Sequence, residues 1–82
     1  MVVKLVFLGR LEDLAGVGEM AVPLDGGQRL ADVLAGLPGP LADALRGPKV
    51  KLALNGALLS PGADPALADG DELAFLPPVS GG

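Results

Sequence analysis

Cysteine, histidine, tyrosine and tryptophan are all missing from these 82 residues, and so is threonine. Without cysteine there is no disulfide, thiolate metal ligand, iron–sulfur ligation or sulfur nucleophile. Without histidine the commonest general base and transition-metal ligand are gone as well. A self-contained enzyme is therefore not expected, and neither is a resident metal or cofactor. Positive charge is scarce too: six Lys and Arg face ten Asp and Glu, for a net charge of −4. With two Phe as the sole aromatics, the chain has neither a basic stripe nor a stacking platform for nucleic acid. No apolar run approaches the ~20 residues of a membrane-spanning helix. Met1-Val2-Val3-Lys4 enters a strand pattern directly, without a signal-peptide layout. The expectation is a cytoplasmic protein with no membrane or nucleic-acid partner. Half of the residues are apolar, enough for one core in one small domain.

The closing stretch, Leu76-Pro77-Pro78-Val79-Ser80-Gly81-Gly82, is the most informative. Each proline fixes its own φ and pushes the residue before it toward extended geometry. From Pro77 to Gly82 the reach is roughly 20 Å at ~3.3 Å per residue. Glycine lacks a Cβ, so Gly81 and Gly82 can thread a slot that any side chain would block. The pattern predicts a domain over residues 1–76 and an extended, flexible tail over 77–82 that delivers the Gly82 carboxylate into another protein's active site. A loose, inert terminus is the plainer alternative.

Alternation and helical spacing order the rest of the chain. Val2 to Leu8 reads as a strand, with Val3, Leu5 and Phe7 on one face and Val2, Lys4, Val6 and Leu8 on the other. Lys4 marks the second face as the wet one, which leaves Val6 and Leu8 as outward apolar residues. Leu11, Leu14 and Ala15 predict one short turn of helix ending at Gly16. Glu19 to Leu24 alternates again and hairpins antiparallel to the first strand. Gln28 to Leu37 carries Leu30, Val33, Leu34 and Leu37 at helical spacing and predicts the main core helix. Pro38-Gly39-Pro40 stops it, and Leu41 to Arg46 follows as a second short helical piece. Val50 to Leu54 is a strand, Asn55-Gly56 a hairpin turn, and Ala57 to Leu59 the return strand. Ser60 to Ala68 reads as loop, with a turn of helix at Pro65–Ala68. Asp69-Gly70-Asp71 turns into the last strand, Glu72 to Leu76, with Leu73 and Phe75 inward.

The first and last strands are the most apolar and are expected side by side in the middle of a mixed sheet. One amphipathic helix must cover a face of that sheet. The implied class is α+β: a ubiquitin-like β-grasp of four to five strands under one main helix. Val6, Leu8 and Leu76, joined by Leu58, then form an exposed apolar patch beside the tail exit, with Lys4, Arg10 and Glu72 as its polar rim.

Three segments carry a family resemblance. Val3-Lys4-Leu5-Val6-Phe7-Leu8-Gly9-Arg10-Leu11-Glu12-Asp13-Leu14-Ala15-Gly16 resembles the opening of the small, sulfur-carrying subunits of molybdopterin synthase. Leu54-Asn55-Gly56-Ala57-Leu58-Leu59-Ser60 resembles their middle. Leu67 to Gly82, closing on Phe75-Leu76-Pro77-Pro78-Val79-Ser80-Gly81-Gly82, resembles their C-terminal signature. Leu76 departs from the second Phe that many members carry, and Asp25 to Lys49 is generic. The resemblance implies that an ATP-dependent, E1-like activating enzyme adenylates the Gly82 carboxylate, and that a sulfur donor converts it to a thiocarboxylate. The large synthase subunit would then move the sulfur onto a pterin precursor. Gly82 would carry the chemistry and Gly81 would thread the slot. Leu8, Leu58, Leu76, Pro77, Pro78, Val79, Ser80 and Arg10 would meet the partner, and ATP would belong to the activating enzyme. The alternatives are sulfur delivery to thiamin or another cofactor, a ubiquitin-like modifier that ends on lysine, and a β-grasp binding module with an inert tail.

Overall fold

Alternation in the first strand sets the layers. In β1 (Val2–Phe7), Val3, Leu5 and Phe7 are sealed from water, whereas Val2 and Lys4 are exposed. The computed structural model describes residues 1–60 and 62–78 of the chain. Its elements run β1, α1 (Arg10–Ala15), β2 (Glu19–Pro23), α2 (Leu30–Ala35), α3 (Gly39–Leu45), β3 (Lys51–Leu54), β4 (Ala57–Leu58) and β5 (Glu72–Leu76).

The strands make one five-stranded sheet in the order β2-β1-β5-β3-β4. β1 and β5 are parallel neighbours, and the other pairings are antiparallel. The two most apolar strands thus lie side by side near the centre, as their composition required. Phe7 pairs in register with Phe75, and their rings stack 5.7 Å apart at 16°. Around them pack Leu5 and Leu73 from the sheet and Leu11, Leu34 and Leu45 from the helices. Asn55 (φ 51) and Gly56 (φ 87) form the turn between β3 and β4, the pair of left-handed conformations that Asn-Gly accepts and most residues resist.

The helical cover includes the two short pieces expected at Leu11–Ala15 and Leu41–Arg46, but the helix expected to dominate it is no longer than they are. Three short helices of six, six and seven residues share it. The periodic stretch Gln28–Leu37 yields α2 only from Leu30 to Ala35, because the backbone before it is engaged elsewhere. Arg29 is extended and bridges Ala66, and the Gln28 carbonyl accepts the Leu67 N–H at 2.8 Å. At the other end Pro38 bars helix at Leu37. The same bridge explains why Pro65–Ala68 is not a turn of helix: Pro65 accepts the Leu30 N–H at 3.0 Å, so this loop is spent holding the start of α2. Asp64 adds a cap from the same loop, its Oδ1 accepting the Ala31 N–H at 2.9 Å.

Candidate functional site: the outer sheet face and the tail root

The residues that alternate with the core come together on the open face of the sheet. Register places Val6 beside Ala74, Ala74 beside Ala53, and Ala53 beside Leu58. That is an apolar row running across β1, β5, β3 and β4. Above it, Leu76 pairs with Lys51. The Leu8 N–H donates to the Phe75 carbonyl at 3.2 Å, which extends the β1–β5 ladder and sets Leu8 next to Leu76. Leu58 is 68% exposed and Leu8 42%, while Val6 and Leu76 are half-buried. The outward apolar residues singled out by parity therefore share one face. Lone exposed apolars are ordinary on protein surfaces, whereas contiguous exposed apolar patches are the kind of surface that marks interaction sites.

Lys4 and Glu72, opposite each other in the register, edge this face as expected. The Lys4 Nζ lies 2.9 Å from a Glu19 carboxylate oxygen and 3.9 Å from one of Glu72. The Glu19 hydrogen bond and charge, with a smaller contribution from Glu72, hold the Lys4 ammonium above the ordinary lysine range. Arg10 lies at the tail root. It lines a groove of about 490 Å3 with Leu11, Leu14, Lys49, Val50, Pro77 and Pro78.

Two further devices fix where the tail leaves. Gly9 sits at φ 55, and a Cβ there would lie 2.9 Å from the Pro77 ring. The ring therefore rests against bare backbone. At the other end of β5, Asn55 clamps the strand to the β3–β4 turn. Its Nδ2 donates to Asp71 Oδ1 at 3.0 Å, and its Oδ1 accepts the Glu72 N–H at 2.9 Å. The second Asp71 oxygen accepts the Ala68 N–H at 2.8 Å. The Asn55 bond first, and the Ala68 N–H second, hold the Asp71 carboxyl below the ordinary carboxylate range. Val79, Ser80, Gly81 and Gly82 lie outside the described residues; Pro77 is half-buried and Pro78 exposed.

Sequence reasoning missed Lys49, Lys51, Leu14 and Gly9 as neighbours of the tail root. The outward parity of Lys51 was legible. The pairing of β3 with β5, which puts Lys51 opposite Leu76, is a long-range fact that no local pattern encodes.

A mixed sheet with the first and last strands adjacent at its centre, helices on one face and a tail leaving the last strand define a ubiquitin-like β-grasp domain. The family model for the ThiS family matches residues 5–82, and the chain belongs to that family. Over 84 aligned positions that take in all of both chains, it is 36% identical to the molybdopterin synthase sulfur carrier subunit of Chlamydomonas reinhardtii. Among solved structures it is similar to SAMP1, a small archaeal modifier protein of Haloferax volcanii, with a TM-score of 0.78, 28% identity and all of both chains covered. It is also similar to a chain in the complex of subunits 1 and 2 of the molybdopterin-converting factor of Helicobacter pylori, with a TM-score of 0.65, 26% identity and full coverage of both. No helix among the described residues is long and apolar enough to cross a membrane.

Proposed function

We propose that this chain is a sulfur carrier, the small subunit of a molybdopterin synthase, and that the Gly82 carboxylate is where the sulfur is held. The observation that carries the reading is the end-to-end identity with the Chlamydomonas sulfur carrier subunit. The apolar sheet face beside the tail root supports it.

The chemistry is the one that the family resemblance implies, and it agrees with what the chain has and lacks. A terminal carboxyl with a pKa of ~3.5 is ionised at neutral pH and is a poor electrophile. A partner must therefore activate it. The carboxylate oxygen attacks the α-phosphorus of ATP and pyrophosphate leaves, giving an acyl adenylate. A sulfur nucleophile from a donor then displaces AMP and leaves a thiocarboxylate. With no cysteine in the chain, the backbone terminus is the one place where sulfur can be carried. The groups that perform catalysis come from the E1-like activating enzyme and from the large synthase subunit, so the chain by itself is not catalytic. ATP is consumed by the activating enzyme, and this chain needs no resident cofactor. The compartment expected is the cytoplasm. Gly81 and Gly82 thread the partner's slot, and Pro77 and Pro78 lower the entropy lost in docking the tail by limiting its conformations beforehand. Val79 and Ser80 meet the partner ahead of that slot. Leu8, Leu58 and Leu76 meet the large subunit.

Intact-protein mass spectrometry tests this. After incubation with an activating enzyme, ATP and a sulfide source, the chain gains the mass of sulfur minus that of oxygen. A chain with one residue appended after Gly82 does not. Mass gain by both, or by neither, removes the carrier reading.

The similarity to the Haloferax modifier protein favours a second reading, in which Gly82 is joined to lysine amines of other proteins. Isopeptide-linked adducts carrying the Gly81-Gly82 remnant in a lysate digest would show that activity, and their absence would remove it.

A further inference from the structure

The groove under Pro77 and Pro78 is not used by the sheet face. Its wall includes Leu11, which is buried, and Leu14, which is 51% exposed. Arg10 and Lys49 line the same groove, and Lys51 stands on β3 opposite Leu76, the residue from which the tail departs. Among the described residues, none of these three cations has a carboxylate oxygen within 4.0 Å. Lys4, by contrast, is held by Glu19 and Glu72. Half of the six Lys and Arg of a chain with net charge −4 therefore gather at one end, around the tail.

Such segregation has a consequence for approach. Although Glu12 and Asp13 share α1 with Arg10, these three cations and the net charge of −4 favour an acidic partner that approaches tail-first. A basic partner would be drawn to the wrong end. Between the cations the groove is apolar, and filling it with an apolar side chain removes Leu14 from water. Both demands are met by one kind of occupant.

We propose that the groove lined by Arg10, Leu14, Lys49 and Pro77 is a second docking surface, taking a carboxylate-bearing segment with an apolar side chain from the enzyme that receives the tail. This rests on the carrier reading, since it requires a tail-receiving partner. The collar governs the rate of encounter, and the apolar wall governs how long the complex lasts.

The test is association kinetics between the full chain and a molybdopterin synthase large subunit. Arg10→Glu combined with Lys49→Glu lowers the association rate roughly tenfold at ~50 mM salt, and the gap to wild type narrows at ~500 mM as screening shortens the reach of the charges. Arg10→Lys with Lys49→Arg retains the wild-type rate. Leu14→Ser leaves association alone and speeds dissociation. All three positions are exposed, and circular dichroism confirms that each variant is folded. An association rate for the charge-reversed chain within about twofold of wild type at both salts overturns the groove and leaves the carrier function standing. No binding by the wild-type chain overturns both. A dimer of the chain alone, seen by ultracentrifugation and abolished by the same charge reversal, assigns the groove to a second copy and overturns the proposal.

Discussion

On one face of the sheet Val3, Leu5, Phe7, Leu73 and Phe75 are closed off from water. On the other, Val6, Ala74 and Leu76 come from the same two strands, one residue out of step, and with Leu8, which follows β1, they keep part of their surface exposed. Both sets are apolar, so composition does not distinguish them. What differs is the cover: α1, α2 and α3 close over the inner set, and nothing in this chain closes over the outer one among the described residues. Inner apolar area stabilises the fold at roughly 25 cal/mol per Å2 removed from water. Outer apolar area yields that return only when another molecule arrives. The inner face should therefore respond to substitution in stability, and the outer face in binding.

The largest effect belongs to the inner face. Phe75→Ala empties the stack with Phe7 and destabilises by about 3–5 kcal/mol. For a domain whose total stability is of order 5–15 kcal/mol this brings the transition close to ambient conditions. Urea denaturation followed by circular dichroism measures it, and a loss below about 1 kcal/mol would show that the stack is not central to the core.

The outer face gives the next largest effect, in a different observable. Leu8→Asp or Leu58→Asp leaves stability within about 0.5 kcal/mol, because neither side chain is enclosed. Affinity for the large subunit falls by about tenfold to a hundredfold, equivalent to roughly 1.4–2.7 kcal/mol. Calorimetry reads both quantities on the same samples. A chain that loses stability but keeps affinity would reverse the assignment of the two faces.

A smaller effect is expected at the clamp between β5 and the β3–β4 turn. Asn55→Ala removes the bonds to Asp71 and Glu72 and places a β-carbon residue at φ 51. The loss is about 1–2 kcal/mol. Asn55→Gly keeps the turn and loses only the bonds, so the difference between the two variants separates turn strain from hydrogen bonding.

The face assignment was legible because strand parity is local: one Lys4 among apolar neighbours marks which side is wet. Asn55-Gly56 was legible for a similar reason, since its turn needs nothing beyond its own dihedrals. The extent of α2 was not, because Gln28 and Arg29 are periodic with the helix but are pulled out of it by Ala66 and Leu67. The neighbourhood of Arg10 escaped as well. Arg10, Lys49 and Pro77 belong to three segments that meet only in the folded chain. The Gly82 chemistry rested on the family resemblance of the last residues, with which the absence of cysteine agrees, and both can be read without any fold.

The smallest effects are the pH limbs, and they distinguish two neighbours at the start of β5, since the Lys4 N–H donates to the Asp71 carbonyl at 2.9 Å. Asp71 is held below its ordinary pKa by Asn55 and the Ala68 N–H. A depressed carboxyl contributes stability above the unfolded-state value of ~3.9, and that contribution disappears as pH falls through the folded-state value. Lys4 is raised, mainly by Glu19. Its contribution is complete below the unfolded-state value of ~10.4 and disappears as pH rises through the folded-state value. Stability measured against pH should therefore decline at both extremes through different residues. Asp71→Asn should flatten the acid limb and leave the alkaline limb unchanged, while Lys4→Met should do the reverse. Both groups are at the surface, so raising the salt should shrink the Lys4 limb, an ion pair, more than the Asp71 limb, which rests on directed hydrogen bonds. Equal salt sensitivity in the two limbs would mean that Asp71 is held by the general field of the chain, and the clamp at Asn55 would then have no separate role in placing β5.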